Sequence, residues 1–268
     1  MEKQKNMALV TGASSGIGLA ISSELAKRGY PLLMVSNEEE KLAQEARDLE
    51  NKYGIKAVNL CMDLAKIDSA KELFDYCKTN NFTIDILVNN AGIFFFKDIA
   101  ITPVEQMETI LTLHIHTPAM LSRYFSQEMI RENRKGYILN MASISSRMMM
   151  PGMALYSSTK SFLRCFSRAM RNEVYNKGIT ITTLSPGAVA TNLYNLPSNY
   201  LVPGLRLGII MPAERFAFLA VKKMFQRKAE YIPSGFINRL FILLVVLLPE
   251  FLIRKLKKKI DSRLNKVK

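Results

Sequence analysis

Cysteine and histidine are scarce: three and two in 268 residues. Cys61, Cys77 and Cys165 are odd in number, scattered, and form no CxxC pair. That spacing argues against a disulfide framework, and with so few histidines no metal site is expected. No apolar run approaches the roughly 20 residues of a membrane span. LFILLVVLL at 240–248 stops after nine, where Pro249 and Glu250 interrupt it. The amino terminus, MEKQKN, runs straight into ALV, so no signal peptide is expected and reducing cytosol is the expected compartment. Internal repeats and low-complexity linkers are also missing. The net charge of +14 invites a nucleic-acid reading, but eight basic residues and one acid fall between Arg254 and Lys268, so +7 sits in the last fifteen positions. The body has no basic stripe interleaved with aromatics, and no nucleic-acid partner is expected.

What is present is a rhythm. Apolar residues make up 49% of the chain, enough for a sizeable core. The runs MALV (7–10), PLLMV (31–35), KAVNL (56–60), DILVN (85–89), GYILNMA (136–142) and ITITTL (179–184) read as strands. Between them, as in Ile17 to Arg28 and Glu39 to Tyr53, apolar residues recur at three- and four-residue spacing. Continuous apolar strands alternating with helices predict an α/β fold whose parallel sheet is covered on both faces. The pattern changes near Pro233. One domain over 1–235 is therefore expected, followed by a hydrophobic and basic tail over 236–268.

TGASSGIG (11–18) follows the first strand and opens the first helix. Gly12, Gly16 and Gly18 let the backbone turn tightly and approach a ligand closely. The helix amino terminus then offers unpaired N–H groups and partial positive charge to a pyrophosphate. Further on, YSSTK places Tyr156 and Lys160 one helical turn apart on one face. A nearby ammonium favours the phenolate and lowers a phenol pKa that is otherwise about 10. The glycine spacing, NNAG (89–92), Asp63 in MDL, Ser143 thirteen positions before Tyr156, and PGAVAT (186–191) together resemble the short-chain dehydrogenases/reductases. The resemblance runs in order from about residue 7 to 191 and excludes the tail.

It implies a Rossmann-like doubly wound sheet and an NAD(P)-dependent oxidoreductase. Tyr156 is then the acid that protonates a ketone oxygen as hydride reaches carbon. Lys160 tunes that phenol and grips the nicotinamide ribose, and Ser143 hydrogen-bonds the substrate oxygen. The implied cofactor contacts are Gly12, Ser14, Ser15, Gly16, Ile17 and Gly18, then Ser36, Asn37, Asp63, Leu64, Asn90, Ala91 and Gly92. Pro186, Gly187, Val189 and Thr191 complete them with Tyr156 and Lys160. One family position departs: His114 stands where asparagine is expected. It either preserves a helix kink, joins a proton relay through an imidazole that titrates near neutrality, or simply packs.

At the end of the second strand an acid would bind the NAD ribose and repel the NADP phosphate. Ser36 and Asn37 stand there, so NADP(H) is favoured, although no arginine replaces the acid. Glu38 to Glu40 are expected to face solvent. FFF (94–96) and RMMMPGM (147–153) flank the catalytic residues and read either as walls for an apolar substrate or as core and interface packing. The segment Asn192 to Met211 is the expected mobile lid. The lead substrate is a lipid-like ketone of the 3-ketosphinganine type. A hydroxysteroid or a 3-oxoacyl chain suits the same residues, and a non-catalytic nucleotide-binding scaffold is the reading from another class. A homo-oligomer is expected. In the tail, FLIRKLKKKI puts Leu252, Leu256 and Ile260 on one helical face with basic residues opposite. That pattern suits an anionic membrane surface at the cytoplasmic side, or an arm packed on protein.

Overall fold

Each of the six apolar runs forms a strand: β1 (Met7–Thr11), β2 (Leu32–Ser36), β3 (Ala57–Cys61), β4 (Ile84–Asn89), β5 (Gly136–Met141) and β6 (Ile179–Leu184). The computed structural model describes residues 5–148, 150–191, 193, 198–206, 209–233 and 249–264. The helices are α1 (Gly16–Lys27), α2 (Glu39–Tyr53), α3 (Ser69–Thr79), α4 (Val104–Leu111), α5 (Thr117–Arg131), α6 (Ala154–Glu173), α7 (Ser198–Arg206), α8 (Ala213–Phe225) and α9 (Glu250–Leu264). Three two-residue strands complete the set: β7 (Val189–Ala190), β8 (Met211–Pro212) and β9 (Glu230–Tyr231).

The main sheet has the order β3-β2-β1-β4-β5-β6-β9, and every pairing in it is parallel. The central strands β1 and β2 are buried along their whole length, whereas the edge strand β3 alternates, because only one side of an edge is shielded. Alternate strand residues feed two cores. Ala8, Val10, Leu32 and Met34 meet α1, α2 and α8. Leu9, Leu33, Val35 and Leu87 meet α3, α5 and α6 through Leu73, Phe125 and Met170. β9 carries no strand signal of its own. It is held by Thr183 and Leu184 of β6.

The path from α4 to α5 passes through a π-helical turn at Thr112–His116, which re-aims the helix where His114 sits. Of the expected lid, Leu193, α7 and residues 209–211 are described, and its two ends are tied by the β7–β8 ladder. The apolar run 240–248 and the domain boundary near 235 lie outside the described residues. α9 confirms that the basic tail segment is helical, and its Lys257 meets Asp98 of the body at 2.8 Å. Among the described residues no helix is long and apolar enough to cross a membrane.

One carboxylate fastens the outer strand to the catalytic side. Glu230, 15% exposed, takes Arg147 and, at 3.2 Å, Arg164. It also accepts the Ser185 hydroxyl at 2.8 Å. Burial pushes its pKa up, but the Arg147 and Ser185 hydrogen bonds and the two arginine charges outweigh this and hold it below 4.5. A depressed carboxylate pKa stabilises the fold above its ordinary value, and the gain is lost as pH falls through the lowered one. Glu230→Gln should therefore cost roughly 1–3 kcal/mol at neutral pH, the scale of charged hydrogen bonds. Urea melts from about pH 6 toward about pH 4 should show the gap from wild type narrowing. A gap that widens on acidification would contradict the assignment.

Candidate active site

The order of the sheet reverses between β1 and β4, and the crevice at their carboxyl ends is where an open α/β sheet binds ligands. Thr11 closes the floor. Its Oγ1 accepts the backbone N–H groups of Asn90 and Ala91 at 2.9 and 3.0 Å and donates to Val88. Asn90 returns its side-chain amide to the carbonyls of Thr11 and Gly12. Gly12 has φ +64°, and a Cβ there would lie 2.9 Å from Ala91 Cα. A Cβ on Gly18 would fall 2.0 Å from the Gly12 carbonyl oxygen. Ser15, the N-cap of α1, makes no side-chain cap, so the first N–H groups of the helix face the crevice uncapped.

The cleft above this floor measures about 360 Å³. Of the expected cofactor contacts, Gly12, Ser14, Ser15, Gly16, Ile17, Ser36, Asn37, Asp63 and Leu64 line it. So do Asn90, Ala91, Gly92, Pro186, Gly187, Val189 and Thr191, together with Tyr156, Lys160 and His114. Gly18 and Ser143 do not. Gly18 serves the close approach of α1 to the loop, and Ser143 is 4% exposed behind Ala142. The glycine cradle and the uncapped helix terminus fit the pyrophosphate of a nicotinamide dinucleotide.

Sequence reasoning missed Glu38, Met62, Ile93, Leu113, Met141, Ala142 and Leu193 as lining residues. Glu38 matters most. It was expected to face solvent with Glu39 and Glu40. Its side chain is half exposed, but its carboxylate turns back to accept the Ser14 hydroxyl at the rim of the cleft. Ser14 also bonds Ser36 at 2.9 Å. The Ser14 hydrogen bond lowers the Glu38 pKa, burial opposes this, and the Lys41 charge adds to the lowering. Its place two residues beyond β2 was the available signal.

α6 carries both Tyr156 and Lys160. Lys160 is buried and donates to the Met141 carbonyl at the end of β5, at 2.9 Å. Burial pulls its ammonium down to about 7. Its Nζ lies 5.7 Å from the Tyr156 ring centre. Ser143 Oγ accepts the Ser145 N–H at 3.2 Å, which uses a lone pair and not its hydroxyl proton. His114, 1% exposed, accepts the Ile93 N–H at Nε2 (3.0 Å) and meets Thr159 Oγ1 at Nδ1 (3.1 Å). Burial, and then the Lys160 charge, drive its pKa well below the ordinary imidazole value.

The two apolar segments meet each other. Phe94 stands edge-on to Tyr156, ring centres 5.0 Å apart. Lys97 N–H bonds the Gly152 carbonyl at 2.8 Å, and the Phe96 ring covers Gly152 where a Cβ would sit. Met148, Met150 and Met153 are half-buried in the second segment and do not line the cleft, while Met149 lies outside the described residues.

A family model described as short chain dehydrogenase matches residues 6–198. Very-long-chain 3-oxoacyl-CoA reductase-A of Danio rerio is 33% identical over 190 residues, covering 69% of this chain and 59% of that protein. A hydroxynaphthalene reductase-like protein of Metarhizium anisopliae is 32% identical over 206 residues, covering 76% of each. In fold, a short-chain dehydrogenase from Sphingobium yanoikuyae in complex with NADPH superposes with a TM-score of 0.78 at 23% identity, covering 90% of this chain and 92% of that one. The match takes in the floor of the crevice, the catalytic helix and most of the sheet, and by it the chain belongs to the short-chain dehydrogenases.

Proposed function

We propose that the protein reduces a ketone to an alcohol on a bulky, apolar, lipid-like molecule, with NADPH as its preferred hydride source. The observation that carries this reading is Tyr156, set between the buried Lys160 and the edge-on ring of Phe94. The nicotinamide cofactor, when bound, supplies hydride to the carbonyl carbon. Tyr156 gives the proton to the carbonyl oxygen, and Ser143 holds that oxygen through its hydroxyl proton. Lys160, while charged, favours the phenolate and so makes Tyr156 the stronger acid. Phe94 shields the phenol with an apolar wall, which suits an alkyl chain better than a sugar.

The 3-oxoacyl chain in the Danio rerio relative's name supports a ketone three carbons along a long chain. A 3-ketosphinganine-type ketone is the lead, with a 3-oxoacyl thioester and a ketosteroid as alternatives at the same site. A scaffold that only binds nucleotide has no use for Ser143, Tyr156 and Lys160 together. Tyr156→Phe should lower turnover by at least ~10²-fold, the scale of general acid catalysis, while cofactor binding stays near normal. Because Lys160 loses its charge as pH rises through about 7, wild-type ketone reduction should fall above that pH. A rate that stays flat well into the alkaline range would remove the Lys160 titration from the mechanism.

Cofactor preference rests on two residues that act in opposite directions. Neutral Ser36 leaves room for a 2′-phosphate. Glu38 opposes one, but it is half exposed and Lys41 lies 3.5 Å from its carboxylate. Charges at such a separation in water interact by only about 1 kcal/mol. Ser36→Asp should therefore turn preference toward NADH, and Glu38→Gln should raise the NADPH to NADH ratio of kcat/KM several-fold. Wild-type efficiency with NADH equal to or above that with NADPH would give control to Glu38 and overturn the NADPH assignment.

The proposal extends to assembly and place. Exposed Leu111, Ile130 and Phe162 on α4, α5 and α6 offer apolar surface for a homo-oligomer. α9 exposes Phe251 beside Arg254, Lys255 and Lys258, which suits the cytoplasmic face of an anionic membrane. Near such a surface each basic residue contributes about 1 kcal/mol, weakened by salt. Full-length protein should float with anionic liposomes more than with neutral ones, and removal of 236–268 should abolish flotation while the cofactor still binds. If truncation instead breaks an oligomer and full-length protein ignores lipid, the tail is an assembly arm.

A further inference from the structure

We propose that His114 is a positioning residue, locked as the neutral Nδ1–H tautomer, that braces the catalytic helix against the loop after β4 and carries no proton in the reaction. The directions of three hydrogen bonds carry the argument. Thr159 has one hydroxyl proton, and it goes to the Tyr156 carbonyl at 2.9 Å, an oxygen that can only accept. Toward His114, Thr159 Oγ1 is therefore the acceptor, so the proton of that 3.1 Å contact sits on Nδ1. On the other side of the ring the Ile93 backbone N–H points at Nε2 from 3.0 Å, so Nε2 must present a bare lone pair. Both nitrogens are engaged, each in one sense only.

A second proton on Nε2 would face the Ile93 N–H donor to donor inside the protein, where an unmade hydrogen bond is costly. The neighbours offer no compensation. From α6 the ring meets the Lys160 ammonium and, with centres 5.8 Å apart, the Tyr156 ring. From the loop after β4 it meets the backbone of Gly92 and Ile93. The charge nearest the ring is thus positive, and burial acts in the same direction. Burial, the Lys160 charge and the Ile93 N–H together keep the imidazole neutral.

The ring also sets a distance. A Cβ on Gly92 would lie 2.8 Å from Nε2 and 3.6 Å from Lys160 Nζ, so the glycine is matched to the imidazole. Through Ile93 the ring fixes the start of the segment that carries Phe94. Through Thr159 it holds the turn between Tyr156 and Lys160. The two ring nitrogens face opposite ways and so reach two elements at once. The π-helical turn aims the ring into that gap.

The test uses full-length protein labelled with ¹⁵N-histidine. The chain has two histidines, so a His116→Gln variant assigns the spectrum. The His114 signals should show a protonated Nδ1 and a bare Nε2 throughout about pH 5.5 to about pH 9, a range that spans an ordinary imidazole pKa, with only a small shift as the neighbouring Lys160 loses its charge near 7. His114→Phe keeps a ring but neither bond. It should lower kcat by about 10- to 100-fold, the cost of misplacing reacting groups, and leave the shape of the pH–rate profile unchanged. Thr159→Val should be non-additive with it, since both remove the same brace. Protonation of Nε2 within that range, the Nε2–H tautomer, or loss of a limb of the pH profile in His114→Phe would overturn the proposal. The spectrum of the unsubstituted ring decides the matter even if the Phe variant does not fold.

Discussion

The molecule is organised around the close approach of two loops at the reversal of the sheet. Where the Gly12 loop passes the Asn90 loop there is no room for a side chain: a Cβ at Gly12 would lie 2.9 Å from Ala91 Cα, and one at Gly18 2.0 Å from the Gly12 carbonyl oxygen. Thr11 and Asn90 hold the loops at that separation by bonding each other's backbone in both directions. Backbone polar groups that would be costly to bury unpaired are thereby satisfied by side chains instead of by the ladder. With the floor fixed, the amino end of α1 points into the cleft, and the residues after β4 lead directly to the substrate side.

A second set of constraints holds the catalytic helix. Asn89 donates to Asn140 across the sheet at 2.7 Å, Asn140 donates to Ser167 at 2.8 Å, and Ser167 bonds the Leu163 carbonyl within α6. This buried polar chain sets the position of α6 on β4 and β5, since apolar packing alone would tolerate a slide. It also permits what the chemistry requires. Among the described residues Lys160 meets no carboxylate and is held by one carbonyl, so it is costly to bury, and its pKa falls to about 7. Such a group persists because the surrounding network fixes the helix around it, and perturbed groups of this kind mark functional sites.

Most of the crevice lining was legible in the sequence, and the reason is physical. Its floor is made of backbone and small residues, so the requirement appears as glycines and asparagines at fixed spacing, as in TGASSGIG and NNAG. The strands were legible for the same kind of reason, because those buried on both faces, such as β1 and β2, must be apolar throughout. What escaped was set by partners far away in the chain. Glu230–Tyr231 is a strand because Thr183 and Leu184 offer it an edge, not because of its own residues. Glu38 lies in a run of three acids and differs from Glu39 only in the Ser14 hydroxyl it meets. The three roles left open for His114 in the sequence could not be separated without the bond directions around Thr159.

The substrate side is built on the opposite plan. Bulky side chains from distant segments hold one another: Phe96 on Gly152, Lys97 on the Gly152 carbonyl, Lys257 on Asp98. Composition shows that such residues are present, but which of them touch is decided by packing. The arrangement has a mechanical consequence. Asp98 is four residues from Phe94, and Phe94 stands edge-on to the Tyr156 ring. The loop between them is tied at Lys97 to the segment after Ser143 and at Asp98 to α9. The short loop from Phe94 to Asp98 is therefore where α9 and the surroundings of Tyr156 come together.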